Sequence, residues 1–328
     1  MCTLKNLLNI FNNIDNFIFP IFVYENETTY QNSLKMEYMN DSKVFIKNVS
    51  RYVQKLVDLK IYNMLIFGIP NKRNLVGTTS FDKNGIAQIF TKRIKENFGN
   101  RINIISDVCV CQYNTTGHCG VYCRDFGNHK TDSNGMKNYK IDNDETLKVL
   151  GKITLSLSES GTDYIAPSSM MDGQVLYLKK ILEDNDFSNI KIMSFSSKHN
   201  SCLYSPFRSN NFYKDGFFDK SSYQNSFTNM HESVREVLSD INEGADWVMI
   251  KPSFWYMDIV KAVKVYSEKP LVVQNVSGEY ALIKAAAEKK WLDEIDWVTS
   301  SLMSLKRAGA DKIISYFIFD LLKIISNT

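Results

Sequence analysis

Eight apolar runs, each followed by a segment with helical spacing, predict an α/β chain folded as a single (β/α)8 TIM barrel. Two further observations carry that expectation. Composition does not shift along the 328 residues in a way that would mark a second domain. A doubly wound sheet would also alternate, but the Gly-rich phosphate turn it carries after its first strand is missing. The expected layout is a short N-terminal arm over residues 1–16 and one barrel over residues 17–328. In such a barrel, chemistry belongs at the C-terminal ends of the strands.

The elements follow in order. Phe17-Ile-Phe-Pro-Ile-Phe-Val23 reads as a short buried strand, with Pro20 placing it at a sheet edge or a strand start because proline cannot donate to a ladder. The polar residues 24–42 read as loop. Phe45, Val49, Tyr52, Val53 and Leu56 recur at helical spacing, and Asn63-Met-Leu-Ile-Phe-Gly-Ile69 is the next strand. A helix runs from Phe81 to about Asn97, and Ile102-Asn-Ile-Ile-Ser106 opens the third strand. Asn143 is the expected N-cap of the helix that follows, with Asp144 and Glu145 in its first turn. Strand Asp163–Ala166, helix Met171–Leu182 and strand Ile190–Ser196 come next. Val234, Val237, Leu238 and Ile241 mark a helix, and Asp246-Trp-Val-Met-Ile-Lys-Pro252 a strand. Helix Met257–Tyr266, strand Leu271–Val273, helices Glu279–Lys289 and Ile295–Arg307, strand Lys312–Phe317 and a closing helix complete the series.

Totals exclude several classes of function. Hydrophobic residues at 44% and charged residues at 23% are ordinary for a chain with a sizeable core. A net charge of +3, with no basic stripe interleaved with aromatics, argues against nucleic acid as a partner. No apolar stretch of about 20 residues could span a membrane. Met1 to Asn26 carries no basic n-region and no cleavage site, so a reducing, cytoplasmic location is expected.

The stretch Asp107-Val-Cys-Val-Cys-Gln-Tyr-Asn-Thr-Thr-Gly-His-Cys119 gathers the most chemistry. On a strand, Cys109 and Cys111 would alternate with Val108 and Val110 and point to one side, with Cys119 returning from the loop to meet them. Three soft ligands suit a zinc ion that keeps one coordination position open. A disulfide and a set of buried thiols are the other readings. Four of the six cysteines, Cys109, Cys111, Cys119 and Cys123, crowd one segment beside Asp107 and His118, which favours the metal.

Two lysines stand at strand ends. Lys251 closes Trp-Val-Met-Ile-Lys ahead of Pro252, and Lys198 ends the preceding strand in Phe-Ser-Ser-Lys. A lysine in an apolar setting loses its proton more readily and becomes a nucleophile toward carbonyls. Each ammonium is expected to depress the pKa of the other. A solvated rim is the alternative for either alone. Lys198, Lys251, Cys109, Cys111, Ser277 and Tyr316 all fall where the barrel places its chemistry. Residues 199–228, long and aromatic, read either as an active-site lid or as packing.

The chain also resembles the 5-aminolevulinate dehydratase (porphobilinogen synthase) family over about nine-tenths of its length. The stretches that carry the likeness are Asp107-Val-Cys-Val-Cys with Gly117-His-Cys-Gly120, Ala166-Pro-Ser-Ser-Met-Met-Asp-Gly173, Met193-Ser-Phe-Ser-Ser-Lys198, Pro206-Phe-Arg208, Gly244-Ala-Asp-Trp-Val-Met-Ile-Lys-Pro252 and Val276-Ser-Gly-Glu-Tyr280. The resemblance implies condensation of two 5-aminolevulinate molecules to porphobilinogen, with loss of two waters, in tetrapyrrole (haem) biosynthesis. By motif position, Lys251 would hold the first substrate as a Schiff base and Lys198 the second. Cys109, Cys111 and Cys119 would hold the catalytic zinc, with Asp107 beside it as proton acceptor or orienting group. Ser277 and Tyr316 match residues for the first substrate's carboxylate, and Arg208, Lys220, Gln224 and Ser168 match residues on the substrate side of the site. Glu232 matches an allosteric magnesium ligand of some relatives, though a solvated helix-start carboxylate reads equally well. A homo-octamer is the family's assembly, while the arm here is short.

Lys220 stands where the family usually has Arg, Gln174 where it has Arg, Ser169 where it has Asp, Ser205 where it has Gly, and Gln274 where it has Tyr. Exchanging a bidentate Arg fork for a Lys should weaken the grip on a carboxylate. These departures keep a second reading open, a non-catalytic relative serving as a metal-binding or assembly scaffold. A one-lysine aldolase-like barrel is a third, in which the cysteines have no role.

Overall fold

The computed structural model describes residues 14–35, 39–122, 140–206 and 219–326, and at its centre parallel strands close into a ring. These are β1 (Phe17–Tyr24), β2 (Asn63–Ile69), β3 (Asn103–Val108), β4 (Tyr164–Pro167), β5 (Lys191–Lys198), β6 (Trp247–Lys251), β7 (Leu271–Gln274) and β8 (Lys312–Ile314). Each pairs with the next, and β8 returns to β1 through Phe17↔Ile313 and Ile18↔Ile314. The expected (β/α)8 barrel is therefore the fold.

Apolar runs explain the strands. All eight residues of β1 and all seven of β2 are buried, as a strand covered on both faces requires. Helices α1 (Glu27–Leu34), α2 (Val49–Asp58), α3 (Ile86–Phe98), α4 (Asn143–Ser158), α5 (Gln174–Asp184), α6 (Met230–Asn242), α7 (Met257–Tyr266), α8 (Ser277–Glu288), α9 (Glu294–Ala308) and α10 (Phe317–Ser326) make the connections. In α2, Val49, Val53 and Leu56 line one buried stripe, and each such side chain contributes about 1.5–3 kcal/mol. A short strand Lys43–Phe45 flanks β1, and Val121–Tyr122 pairs antiparallel with Ile141–Asp142.

Four expectations are corrected. Residues 24–42 contain α1, which Asn26 caps by accepting from the Thr29 amide at 3.0 Å. Its residues are so polar that Ser33 alone is buried, and periodicity has little to report. Pro20 sits inside a ring strand instead of at its start, but the β8 ladder on that flank ends at Ile18 and the Lys43–Phe45 ladder begins at Phe22. Proline thus occupies a local gap in pairing. The N-cap of α4 is Asp142, whose carboxylate accepts from the Glu145 amide, while Asn143 pairs with Asp172 instead. Finally, β3 ends at Val108 and β8 at Ile314, so Cys109, Cys111 and Tyr316 lie just beyond their strands.

One irregularity positions the site. Against β6, the register of β5 gains a residue between Ser194 and Ser197, a bulge that sets Lys198 opposite Lys251. Without it Lys251 would face Ser197. A one-residue slip also turns a side chain to the other face, so the bulge decides where Lys198 points. No helix among the described residues is long and apolar enough to cross a membrane.

Candidate active site

The strand tops enclose a cavity of about 90 Å³. Lys198 comes from the end of β5, Lys251 from the end of β6, Ser277 from the first turn of α8 and Tyr316 from the residues after β8. Aromatic rings surround the Lys251 amine, which lies 5.5 Å from the Phe195 and Tyr204 ring centres and 5.8 Å from that of Phe67. Lys198 Nζ lies 5.6 Å from the centre of the same Phe195 ring, so both amines lie near one aromatic ring. Lys198 also donates to the Ser168 carbonyl at 2.5 Å, and its backbone amide to Asn225 Oδ1 at 3.1 Å.

Beside Lys198 stand the three thiols. The sulfurs of Cys109, Cys111 and Cys119 lie within 4.8 Å of one another, and among the described residues no other group of three His, Cys, Asp or Glu ligands converges so closely. Hydrogen bonds from Cys109 and Cys111 hold the Cys119 thiol well below its usual range. Burial pushes Cys109 up, and in Cys111 a contact with Cys109 is outweighed by one with Cys119 and by burial, leaving it at about 11. Three converging thiols, one of them acidified by the other two, make a soft donor set that fits zinc, and they lack the oxygen shell magnesium demands. Lys220 reaches this group, donating to the Gly117 carbonyl at 2.8 Å and to Cys119 Sγ at 3.4 Å. Tyr223 supports the loop by accepting from the Cys119 amide at 3.2 Å.

Charge at the site differs from the expectation of two mutually depressed lysines. Burial lowers the pKa of Lys198, but Cys119, Cys109, Cys111 and Asp107 outweigh it, so the amine sits above its ordinary value. Asp107 is raised by burial in spite of the nearby Ser168, Lys198 and Lys251. Its Oδ2 accepts from Gln112 at 3.1 Å while Oδ1 has no partner.

Other sequence-selected residues are placed as follows. Ser168 contributes its carbonyl to Lys198. Gln224 lines the cavity with both amide atoms unpartnered. Tyr316 is buried and stacks on Phe22 with centroids 6.3 Å apart. Ser277 Oγ reaches the Leu203 carbonyl at 3.4 Å. Arg208, Cys123 and most of the arm lie outside the described residues. Glu232 stands in the first turn of α6, away from the thiols, on a neighbouring cavity of about 670 Å³ that Asp172, Glu236 and Asp240 also line.

Periodicity and motif reading passed over two residues that organise the strand tops. His199 is fully buried, joins the Lys251 carbonyl through its amide at 2.9 Å and Ser233 Oγ through Nε2 at 3.0 Å, and burial lowers its pKa to about 4. Glu279 accepts from the amides of Ser253, Phe254 and Val276 at 3.0, 2.5 and 2.6 Å, tying the turn after Lys251 to the start of α8. Its place in the first turn of a helix was the available signal.

Fold and site together define a barrel enzyme that sets two amines on adjacent strand ends beside three converging thiols that could hold a metal ion. The family described as Delta-aminolevulinic acid dehydratase matches residues 7–324. Relatives of that name are similar across most of their length. The one from Methanothermus sociabilis is 41% identical over 92% of this chain and 89% of its own, and that from Bacillus subtilis is 39% identical over 94% and 90%. A crystal structure of the Toxoplasma gondii enzyme in complex with the reaction product porphobilinogen superposes with a TM-score of 0.84 at 30% identity, covering 95% of this chain and 85% of the other. The chain belongs to the delta-aminolevulinic acid dehydratase family and is a hydro-lyase.

Proposed function

We propose that the chain condenses two molecules of 5-aminolevulinate to porphobilinogen, each held as an imine on a ring lysine, with zinc on Cys109, Cys111 and Cys119. The reaction is that of the family, and its assignment to residues rests on the register that sets Lys198 opposite Lys251 against one Phe195 ring. Each amine adds to the C4 ketone of a substrate and water leaves as the imine forms, so two imines account for both waters lost. The rings of Phe67, Phe195 and Tyr204 exclude water that would hydrolyse the Lys251 imine. Asp107, buried with a free Oδ1, takes the C3 proton as the carbon–carbon bond forms. Closure of the ring through one C–C and one C–N bond displaces both lysine amines and returns the enzyme.

When bound, zinc supplies a Lewis acid beside Lys198 for the second substrate. Ser277 and Tyr316 hold the first substrate's carboxylate, and Arg208, Lys220, Gln224 and Ser168 position the second. Glu232, on its acidic cavity, is the proposed seat of an allosteric magnesium.

The test is porphobilinogen formation by purified protein given 5-aminolevulinate, compared with Lys251→Ala. The variant is expected to give no detectable product while its circular dichroism matches the wild type. Normal turnover in that variant would sink the imine assignment.

A further inference from the structure

Lys251 is the last residue of β6, and pairing with β7 ends one residue before it, at Val273↔Ile250. Beyond that point its backbone is paired with β5 and with the residue that follows β5, His199. The Lys251 carbonyl accepts from the His199 amide at 2.9 Å and from the Tyr204 hydroxyl at 3.2 Å, and His199 Nδ1 stands 3.4 Å from the same oxygen. On its other side the imidazole meets Ser233 of α6, whose Oγ is 3.0 Å from Nε2. Its face stacks on Tyr256, in the turn that follows Lys251, with ring centres 4.2 Å apart. One side chain thus touches the end of β6, the turn after it and the helix behind it. His199 and Ser233 are both fully buried, so the pair is closed to any substrate and does not serve as a Ser–His nucleophile.

The chemistry of the partners fixes the proton. A carbonyl can only accept, whereas a serine hydroxyl can donate or accept. The ring therefore carries its proton on Nδ1, facing Lys251, and accepts from the Ser233 hydroxyl at Nε2. Burial, which lowers its pKa to about 4, keeps it uncharged at neutral pH. We infer that His199 is a positioning residue for Lys251, its Nδ1–H holding the carbonyl of that residue and so the direction in which the amine leaves the strand. The inference rests on the Lys251 imine proposed above. An amine adds to a ketone along a narrow path, and a displacement of about 1 Å in the attacking group is costly. Lys198 supplies a control within the same site. Its amide donates to Asn225 Oδ1 and its carbonyl accepts from the Asn225 amide, both at 3.1 Å, while its amine donates to the Ser168 carbonyl. None of these bonds involves the imidazole.

The experiment follows imine formation with 4-oxopentanoate, a keto acid that lacks the amine needed to close the ring. Adducts are trapped by borohydride at a series of times on the full-length protein supplied with zinc, and mass spectrometry reads the Lys251 and Lys198 peptides separately. His199→Phe keeps a flat ring against Tyr256 and removes both nitrogens; His199→Asn keeps an N–H donor where Nδ1 stands. In His199→Phe the Lys251 adduct should form roughly tenfold more slowly, the size of one hydrogen bond, with the Lys198 adduct and bound zinc at wild-type levels. His199→Asn should recover most of the lost rate, which packing alone would not provide. Slowing at neither lysine or at both alike, or an Asn variant no faster than the Phe variant, would overturn the inference. Should the Phe variant fail to fold, imidazole nitrogen chemical shifts of the wild type decide the matter. The His199 signal, assigned by its absence from His199→Asn, should show a protonated Nδ1 and a bare Nε2; the opposite tautomer would overturn the inference. Absence of any Lys251 adduct in the wild type would instead refute the underlying imine reading, so the two failures are distinguishable.

Discussion

At Cys119 three separate influences meet. Its sulfur takes hydrogen bonds from two other thiols, accepts from Lys220 at 3.4 Å, and its amide is fixed by Tyr223. Lys220 was expected to face a carboxylate, where a lysine is a poorer grip than an arginine. In this structure it holds the thiol loop through Gly117 and Cys119. Groups of that kind orient a ligand and tune its donor strength, and their loss commonly weakens metal binding roughly 10–100-fold. Lys220→Met should therefore lower zinc affinity by that order in competition with a chelating dye. Cys111→Ala should lose stoichiometric zinc and activity together. A Lys220→Met protein that keeps wild-type zinc affinity would confine this lysine to substrate binding.

Elements, more than residues, separate what the sequence reveals from what it hides. Strands β1, β2 and β6 were legible because burial on both faces makes them uninterrupted apolar runs, and α7 was delimited correctly by its stripe. The bulge in β5 was not legible. Lys198 was placed at a strand end, but which way it points depends on pairing with β6, a non-local fact. For Glu279 only the place in a helix's first turn was legible, since three of the groups it ties are backbone amides that carry no sequence signature. Its energetics are testable. Burial, against those N–H donors, raises its pKa from 4.5 to about 7. Between those values the folded state binds more protons than the unfolded one, so stability falls as pH rises from about 4.5 to 7, by up to about 3 kcal/mol. Denaturant titrations of wild type and Glu279→Gln should show a difference that shrinks along that window, the wild type losing ground as its carboxylate ionises. A difference independent of pH would mean that Glu279 is ionised throughout.

For the whole molecule, the ring and the thiol site answer to different forces. The ladder closes through β8 and β1, and its core is a continuous apolar cluster running from Phe17 to Leu322. The thiols lie beyond β3, on a loop outside the ladder, so the barrel's hydrophobic stabilisation does not depend on them. This arrangement differs from that of a zinc finger, whose fold is the metal's own coordination. Chelation should abolish porphobilinogen formation, and zinc should restore it where magnesium does not, because the donors are sulfur. The far-UV circular dichroism should be unchanged throughout. Melting temperature should fall only by the mass-action contribution of the bound ion, and so vary with free zinc concentration. Hydrogen exchange should rise in the Cys109–Cys119 stretch and stay constant in β1 and β2. Collapse of the dichroism on chelation would make the metal part of the fold, and the loop would have to be counted with the ring.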